Sequence, residues 1–130
     1  MTVSFQVHGT PAPQGSKTRT RYGMFESSKR VKPWRDAVVK AASQEAPLEP
    51  PYDVKVFFFI QAPKKTNAAY PVAPSIGDID KMLRATYDGL TASGIITDDR
   101  HIVAGEQSKE WAGIDGPGAV IIIKSLAVTA

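Results

Sequence analysis

The chain has 130 residues, of which 42% are hydrophobic, which is enough apolar material for one core but not for two. It has no cysteine, which excludes disulfide bonds and thiolate metal sites. Residues 1–35 carry seven Lys and Arg against one acidic residue, although the whole chain has a net charge of only +3. We therefore expect a single domain over residues 1–130, with a basic arm that neutralises phosphates and an acidic centre that holds a cation.

The sequence has no sign of a membrane or secretory protein. The N-terminal segment MTVSFQVHGT lacks the basic region and long apolar core of a signal peptide. The longest apolar run, Val56–Ile60, is far shorter than the roughly 20 residues that cross a bilayer. We expect a soluble, intracellular protein.

The N-terminal residues predict a strand. Residues 2–8 alternate apolar and polar side chains, which is typical of a strand with one buried face. His8 at its end is interpreted as a strand-end residue rather than a catalyst. Residues 9–15 are rich in Gly and Pro and predict a turn.

A basic row follows this turn. Lys17, Arg19 and Arg21 alternate with hydroxyl residues, so a strand would place the three cations on one face. Such a row can follow a nucleic-acid backbone, and a solvated loop is the alternative. A short hairpin is expected here, with Tyr22–Gly23 at its turn and Met24–Phe25 on the returning strand.

A helix and a strongly apolar strand come next. The apolar spacing and Pro33 predict a helix over Val31–Ala46, which the following prolines would end. Tyr52–Gln61 alternates like a strand, yet Phe57 and Phe59 make its second face apolar as well. Such a strand is central and covered on both sides, or it lies at a subunit interface. The long loop 62–75 then follows, with Lys64 and Lys65 near its start.

The most informative segment starts at Gly77. Its apolar residues recur at helical spacing, and the pattern predicts a helix over Ile79–Ser93 with Asp78 at the N-cap and Gly94 just beyond the C-terminus. Ile95 and Ile96 can pack back on this helix. Asp80, Arg84 and Asp88 share an adjoining polar row at i, i+4 and i+8.

A second acidic pair, Asp98 and Asp99, follows the helix and leads into a predicted strand over His101–Trp111. If that strand pairs beside the start of the helix, Asp98 and Asp99 approach Asp78 and Asp80. A carboxylate cluster raises the pKa of one member unless a cation is present, and an all-oxygen set suits Mg²⁺ or Mn²⁺ better than zinc. The predicted chemistry is metal-assisted phosphoryl transfer.

Each of these residues also has an ordinary structural interpretation. Asp78 is the helix cap, the pair Asp98 and Asp99 forms a solvated turn, and Arg84 forms a surface ion pair with Asp88. Beyond them, Gly105 is expected at a bulge, and Lys109 on the last strand but one could reach back toward the acidic pair. Residues 119–126 predict an apolar final strand.

Taken together, the segment from Asp78 to Lys109 resembles the signature of the RusA-type Holliday junction resolvases. That signature is Asp-x-Asp-Asn-x-x-Lys-Ala, a helix ending in Asp-Ala/Gly-Leu, a Gly, an Asp-Asp pair, and a Val-containing strand with a Lys. The matching residues are Asp78, Asp80, Lys81, Arg84, Ala85, Asp88, Gly89, Leu90, Gly94, Asp98, Asp99, Val103 and Lys109. Lys81 stands where the family commonly has Asn, and Arg84 stands where its functional Lys is common.

The resemblance implies a Mg²⁺-dependent endodeoxyribonuclease that resolves four-way DNA junctions, with Mn²⁺ as a substitute ion. It implies that Asp78, Asp80 and Asp99 bind the metal and act in catalysis, that Asp98 is a lesser ligand, and that Arg84 stabilises phosphate charge. DNA binding is assigned to Lys17, Arg19, Arg21, Lys64, Lys65, Lys81 and Lys109. It also implies a homodimer in the cytoplasm that acts at the nucleoid, in a family common in phage and prophage genomes.

The predicted order of elements is β-α-β-α-β-β. This order predicts an α+β domain in which about four strands form a mixed sheet and both helices lie on one face. The last two strands are expected to pair antiparallel. The alternative to an enzyme is a non-catalytic module that binds branched or single-stranded nucleic acid and uses the carboxylates as caps.

Overall fold

The structure, a computed structural model, describes residues 1–14, 17–20, 23–26 and 29–128. Its strands are β1 (Thr2–His8), β2 (Lys17–Thr20), β3 (Gly23–Glu26), β4 (Tyr52–Ile60), β5 (Ile102–Trp111) and β6 (Gly118–Ser125). The helices are α1 (Val31–Ala42) and α2 (Ile79–Ser93), and a 3-10 turn, Asp99–His101, precedes β5. Within these ranges, neither helix has the length and apolar character needed to cross a membrane.

Four strands form the main sheet, in the order β1-β6-β4-β5. β4 and β5 are parallel, and the other two pairs are antiparallel, so the sheet is mixed. β2 and β3 form a separate antiparallel hairpin between β1 and α1. The predicted α+β class and the β-α-β-α-β-β order are confirmed for the main sheet, and the hairpin is also present. Thr20 pairs with Gly23, so Gly23 already belongs to the strand rather than to the turn.

The prediction that the last two strands pair with each other was wrong. β5 and β6 run in opposite directions, but β4 lies between them in the sheet. The connection over residues 112–117 therefore passes across one strand, a distance of about 10 Å that six residues easily span. β4 takes the central position because it is apolar on both faces.

β4 shows why one face of the sheet carries the core. Tyr52, Val54, Val56, Phe58 and Ile60 are all buried under the helices, and the ring of Phe58 lies 6.3 Å from that of Trp34 on α1. Residues between them point to the other face, where no described helix lies. There Phe57 and Phe59 are only half-buried. The strand is thus central, with one face covered and one face open.

α1 is shorter than predicted. It ends at Ala42 rather than Ala46, and the chain then tightens into a turn in which Ser43, Gln44 and Glu45 donate their amide N–H groups to carbonyls of the last turn. Pro47 disfavours a helical conformation at the residue before it, so the helix has no reason to continue to Ala46.

The two helices pack directly against each other. Trp34 of α1 is buried and donates its indole Nε1–H to the Thr86 hydroxyl of α2 at 3.1 Å, and that hydroxyl donates to the Met82 carbonyl at 2.8 Å. Gly89 lies where the helices come closest, against Val38. The buried polar contact fixes the register of α2 on α1, because an unpaired indole N–H would be costly there.

The bulge in β5 is not at Gly105, as predicted. Tyr52 pairs with Ile102 and Asp53 with Ala104, so Val103 is the extra residue. Gly105 instead allows close backbone approach, since a Cβ there would lie 2.0 Å from the Val54 carbonyl oxygen. β5 is an edge strand of the sheet, and residues 103–107 are exposed.

Replacing Gly89 by Ala tests the helix contact. A Cβ at this position would lie 2.8 Å from both Val38 Cβ and Val38 Cγ1. We expect Gly89→Ala to lower the free energy of unfolding by about 1–2 kcal/mol in urea titrations, because overpacking outweighs the better helix propensity of Ala. Gly113→Ala is the matched control, since its Cβ would meet nothing within 4 Å. A Gly89→Ala protein as stable as the wild type would contradict the packing argument.

Candidate active site

Asp78 occupies the N-cap position of α2 but does not cap the helix with its side chain. Its backbone is extended, its carbonyl accepts from the Met82 amide at 3.1 Å, and its carboxylate makes no capping hydrogen bond. The side chain is 73% exposed, and Lys81 Nζ lies 3.9 Å from Asp78 Oδ2. The ordinary interpretation of Asp78 as a side-chain cap is therefore not supported, and the carboxylate remains available for a ligand.

The polar row on α2 also lacks its expected ion pair. The ion pairs among the described residues are Lys32–Asp36, Lys81–Asp78 and Arg100–Asp98, so Arg84 and Asp88 do not pair. Asp80 and Arg84 are exposed on this row, and their side chains have no ion pair or hydrogen bond to another residue that the structure describes. One anion and one cation thus face solvent a single helical turn apart.

Asp98 has a clear structural role. Its Oδ1 accepts from the Arg100 amide at 3.0 Å, so its side chain caps the 3-10 turn, and Arg100 Nε lies 3.6 Å from its Oδ2. The hydrogen bond from the Arg100 amide is the main reason that the pKa of Asp98 is lowered, and a hydrogen bond with Asp99 adds to it. The turn interpretation is thus correct for Asp98, and its rank as a lesser metal ligand stays a prediction.

Asp99 is in the opposite situation. Burial is the main factor that raises the pKa of its carboxyl, followed by the hydrogen bond with Asp98 and the negative charges of Asp98 and Asp88. Burial also raises the pKa of the Tyr87 hydroxyl, and the Asp99 charge raises it further. These interactions place Asp99 against α2 near Tyr87 and Asp88. The sequence predicts a raised pKa for one carboxylate of a cluster of Asp78, Asp80, Asp98 and Asp99, but the pKa of Asp99 is raised mainly by burial, and Asp98 is the member of that cluster that contributes.

The structure places one acidic pair at the start of α2 and the other at the 3-10 turn before β5, and it does not bring them into a single cage. Asp78 and Asp80 lie at the start of α2, whereas Asp88, the helical neighbour of Asp99, lies about 12 Å from Asp80 along the axis. Over the ranges that the structure describes, no three His, Asp or Glu side chains are close enough to hold a metal ion. The cage of Asp78, Asp80 and Asp99 therefore stays a prediction.

These residues nevertheless fit a hard divalent cation by their chemistry. The ligand atoms would all be carboxylate oxygens, the set that Mg²⁺ and Mn²⁺ prefer. Asp78 and Asp80 keep their carboxylates free of capping bonds. A cation beside Asp99 would offset the repulsion from Asp98 and Asp88, which adds to the effect of burial on the pKa of Asp99.

Lys109 reaches the first acidic group rather than the second. Its Nζ donates to the Gly77 carbonyl at 3.0 Å, beside Asp78. The prediction had directed it toward Asp98 and Asp99. This hydrogen bond joins β5 to the residue just before α2, so it fixes the helix start relative to the sheet.

A hydrogen-bonded chain that the sequence did not reveal holds the turn with the second acidic pair. The Tyr52 hydroxyl donates to the Leu48 carbonyl at 2.7 Å and accepts from the Thr97 amide at 3.1 Å. The Thr97 hydroxyl lies 2.6 Å from His101 Nδ1. The sequence pattern identifies Tyr52 only as an apolar strand residue, and no spacing in the sequence indicates its link to Thr97.

The basic residues assigned to DNA lie in three places. Lys64 and Lys65 are exposed in the loop before α2, and Lys81 is half-buried in the first turn of that helix. Lys17 and Arg19 belong to β2 of the hairpin. Arg21 lies outside the described residues.

We expect Asp99→Asn to stabilise the fold at neutral pH. Since the pKa of Asp99 is raised in the folded state, its ionised form opposes folding above that pKa, and the effect disappears below the unfolded pKa of about 3.9. The melting temperature without divalent ions should rise by about 2 °C at pH 7 and be unchanged near pH 3. Asp115→Asn, an exposed position between β5 and β6, is the control. An equal change at both pH values would contradict the electrostatic cause.

Comparison with known proteins identifies the family of the chain. No protein with a curated description matches the chain. The family model described as endodeoxyribonuclease RusA matches residues 5–124, which include both helices, all of β4 and β5, and most of β1 and β6. Because this match covers nearly the whole chain, the protein belongs to the RusA endodeoxyribonuclease family.

Proposed function

We propose that this protein is a Mg²⁺-dependent endodeoxyribonuclease that resolves Holliday junctions in DNA recombination and repair. The observation that supports this most directly is the state of the α2 N-terminus within a RusA-family chain: Asp78 stands at the N-cap without capping, and Asp80 is exposed beside it. A capping role would have given the Asp78 carboxylate a hydrogen bond from a backbone N–H of the first helical turn. The protein would act in the cytoplasm, at the nucleoid, and it would serve either a host or a phage.

Asp78, Asp80 and Asp99 are the proposed ligands of the ion, and Asp98 gives outer support by holding the turn on which Asp99 lies. When bound, the ion would polarise a phosphate oxygen and lower the pKa of a water molecule. In the hydrolysis, the water oxygen forms a bond to phosphorus, the bond to the leaving sugar oxygen breaks, and that oxygen takes a proton. The carboxylates orient the water, and the proton that it loses reaches a carboxylate through a solvent molecule.

Arg84 and Lys109 are proposed to stabilise the charge that develops on the phosphate. Arg84 is exposed one turn after Asp80, so it can reach a phosphate at the helix start. A guanidinium binds phosphate oxygens through two parallel N–H donors but cannot give up a proton. Arg84 therefore acts as an electrostatic group, and protonation of the leaving oxygen is left to solvent.

The remaining basic residues are proposed to bind the DNA backbone. Lys64 and Lys65 lie in the loop that leads to Asp78, and Lys81 lies one turn into α2. Lys17, Arg19 and Arg21 would extend this surface along the hairpin. Contacts of this kind position the duplex arms without reading their sequence, and their strength falls as the salt concentration rises.

A four-way junction assembled from synthetic oligonucleotides tests the proposal. We expect the wild type to cut it in Mg²⁺ or Mn²⁺ and Asp80→Asn to cut it about a thousandfold more slowly, a loss of about 4 kcal/mol of transition-state stabilisation. Junction affinity without divalent ions should stay within about twofold, because the change does not remove a DNA-binding cation. Asp36→Asn, in an exposed ion pair on α1, is the matched control and should cut normally.

A wild type that binds junctions but cuts none with any divalent ion would leave the alternative, a non-catalytic module for branched or single-stranded nucleic acid. Cleavage rates on a panel of flaps, RNA and four-way junctions distinguish a junction resolvase from a nuclease that prefers another substrate structure. Equal cutting of all of these would contradict the junction assignment and leave the reaction class intact.

We also propose that the protein acts as a homodimer, which would provide two active sites for the two strands of a junction. The open face of the sheet supports this proposal. Phe57, Phe59, Val120 and Ile122 are half-buried neighbours on that face, since Phe57 pairs with Val120 across the β4–β6 ladder. Ile114 is fully exposed in the connection between β5 and β6. An apolar patch of this kind in one chain favours a second copy as its cover.

Sedimentation velocity tests this interface. The wild type should sediment as a dimer, and Ile122→Lys should sediment as a folded monomer, because a cation in the centre of an apolar interface is not paired. Lys124→Gln, on the same face of β6 but exposed, is the control and should stay dimeric. A monomeric wild type would contradict the homodimer, and a dimeric Ile122→Lys would contradict this choice of surface.

A further inference from the structure

A cavity of about 360 Å³ lies between the loop that precedes α2 and the end of β5. We name it the loop cavity. Its walls are mostly apolar or aromatic, and they include Pro63, Ala68, Tyr70, Val72, Ile76 and Trp111. Its volume is within the range of cavities that hold small organic ligands.

The loop cavity adjoins the candidate active site. Ile76 of its wall lies two residues before Asp78 in the chain. Lys109, which donates to the Gly77 carbonyl at 3.0 Å, and Trp111 are two residues apart on β5, so they lie on the same side of the strand about 7 Å apart. A group in the cavity would therefore lie about one nucleotide from a phosphate at Asp78.

The cavity walls are held by hydrogen bonds. Trp111 donates its indole Nε1–H to the Ala68 carbonyl at 3.0 Å, and the Ala68 amide donates to the Thr66 hydroxyl at 3.2 Å. The next amide, that of Ala112, donates to the Ile60 carbonyl at 2.7 Å. The loop is thus tied to the end of β5 beside the cavity.

Two wall residues are exposed although they are apolar or aromatic. Tyr70 is 62% exposed and Val72 is 70% exposed. Among the residues that the structure describes, the pair of contacting rings is Trp34 and Phe58, so Tyr70 stacks on no other ring there. Its ring is available to a planar ligand.

Basic residues lie next to residues that line the cavity. Lys64 and Lys65 are exposed in the same loop. Arg30 Nη2 donates to the carbonyl of Ser75, which lines the cavity, at 3.1 Å, and Lys109 donates to the carbonyl of Gly77, next to the wall residue Ile76. A flat apolar interior with cations around it matches a nucleotide, in which a planar base is joined to an anionic phosphate.

We propose that the loop cavity binds one unstacked nucleobase of the DNA strand that is cut, with Tyr70 as its stacking partner. This inference rests on the proposed function, because the strand must pass Asp78. The site would select cutting positions at which a base unstacks readily. Tyr70 is thus a specificity-determining residue that touches the substrate but takes no part in the hydrolysis.

Affinity for a four-way junction, measured without divalent ions so that the phosphodiester stays intact, tests the site. We expect Tyr70→Ala to weaken binding about tenfold, as for other bases stacked on one aromatic side chain, and Tyr70→Phe to bind within about twofold of the wild type. Tyr70 is exposed, so its truncation should not disturb folding. A series of junctions is then prepared in which an abasic nucleotide replaces one nucleotide at a time around the branch point.

At one position the abasic nucleotide should weaken junction binding by the wild type about tenfold. It should not change binding by Tyr70→Ala, since both changes remove the same stacking contact. Unchanged affinity of Tyr70→Ala, or losses that multiply at every abasic position, would overturn the proposal. A wild type that binds no junction would overturn it as well. Absence of cutting in Mg²⁺ and Mn²⁺ bears only on the proposed function, because the affinity cycle contains no metal.

Discussion

The contact between α1 and α2 is the constraint on which the rest of the structure depends. Gly89 lets the helices approach until Val38 touches the α2 backbone, and the Trp34 indole donates to Thr86 in the buried layer between them. Both contacts fix α2 in depth and in register. Since the candidate carboxylates are on α2 or against it, the geometry of the site follows from this packing.

Several charged residues of the site lack, within the described part of the chain, the hydrogen bonds or ion pairs that would stabilise their charges in the fold. Asp78 does not cap α2, Arg84 has no ion pair with a described residue, and the carboxyl of Asp99 has a raised pKa next to Asp98 and Asp88. Folding therefore tolerates unfavourable electrostatics near one helix. Such a cost is expected where residues serve binding or catalysis rather than stability.

Local patterns predicted those features that depend on local chemistry. α2 has the predicted bounds, with Gly94 in the left-handed conformation at its end, because apolar spacing and a C-terminal glycine are local signals. Strand order was not predictable in this way. The position of β4 between β5 and β6 depends on contacts between residues far apart in the chain, and neighbouring strands were wrongly assumed to pair.

The same distinction applies to the site. The residue types and the spacing of Asp78, Asp80 and Asp99 predict an oxygen-ligand set, but their separation depends on how the turn after α2 is anchored. That anchor is the hydrogen bond from the Thr97 amide to the Tyr52 hydroxyl, which joins residues 45 positions apart. The direction of Lys109 toward Gly77 also depends on long-range packing, because the bulge at Val103 shifts the register of β5.

The edge position of β5 has a further consequence for solubility. A strand with one unpaired side presents free N–H and C=O groups, which can template the addition of a strand from another molecule. In β5 this hazard is countered by the Val103 bulge, which distorts the start of the edge, and by Glu106, Lys109 and Glu110 along the rest of the strand. Strand addition would have to desolvate these charges, so the edge is protected from aggregation without being covered.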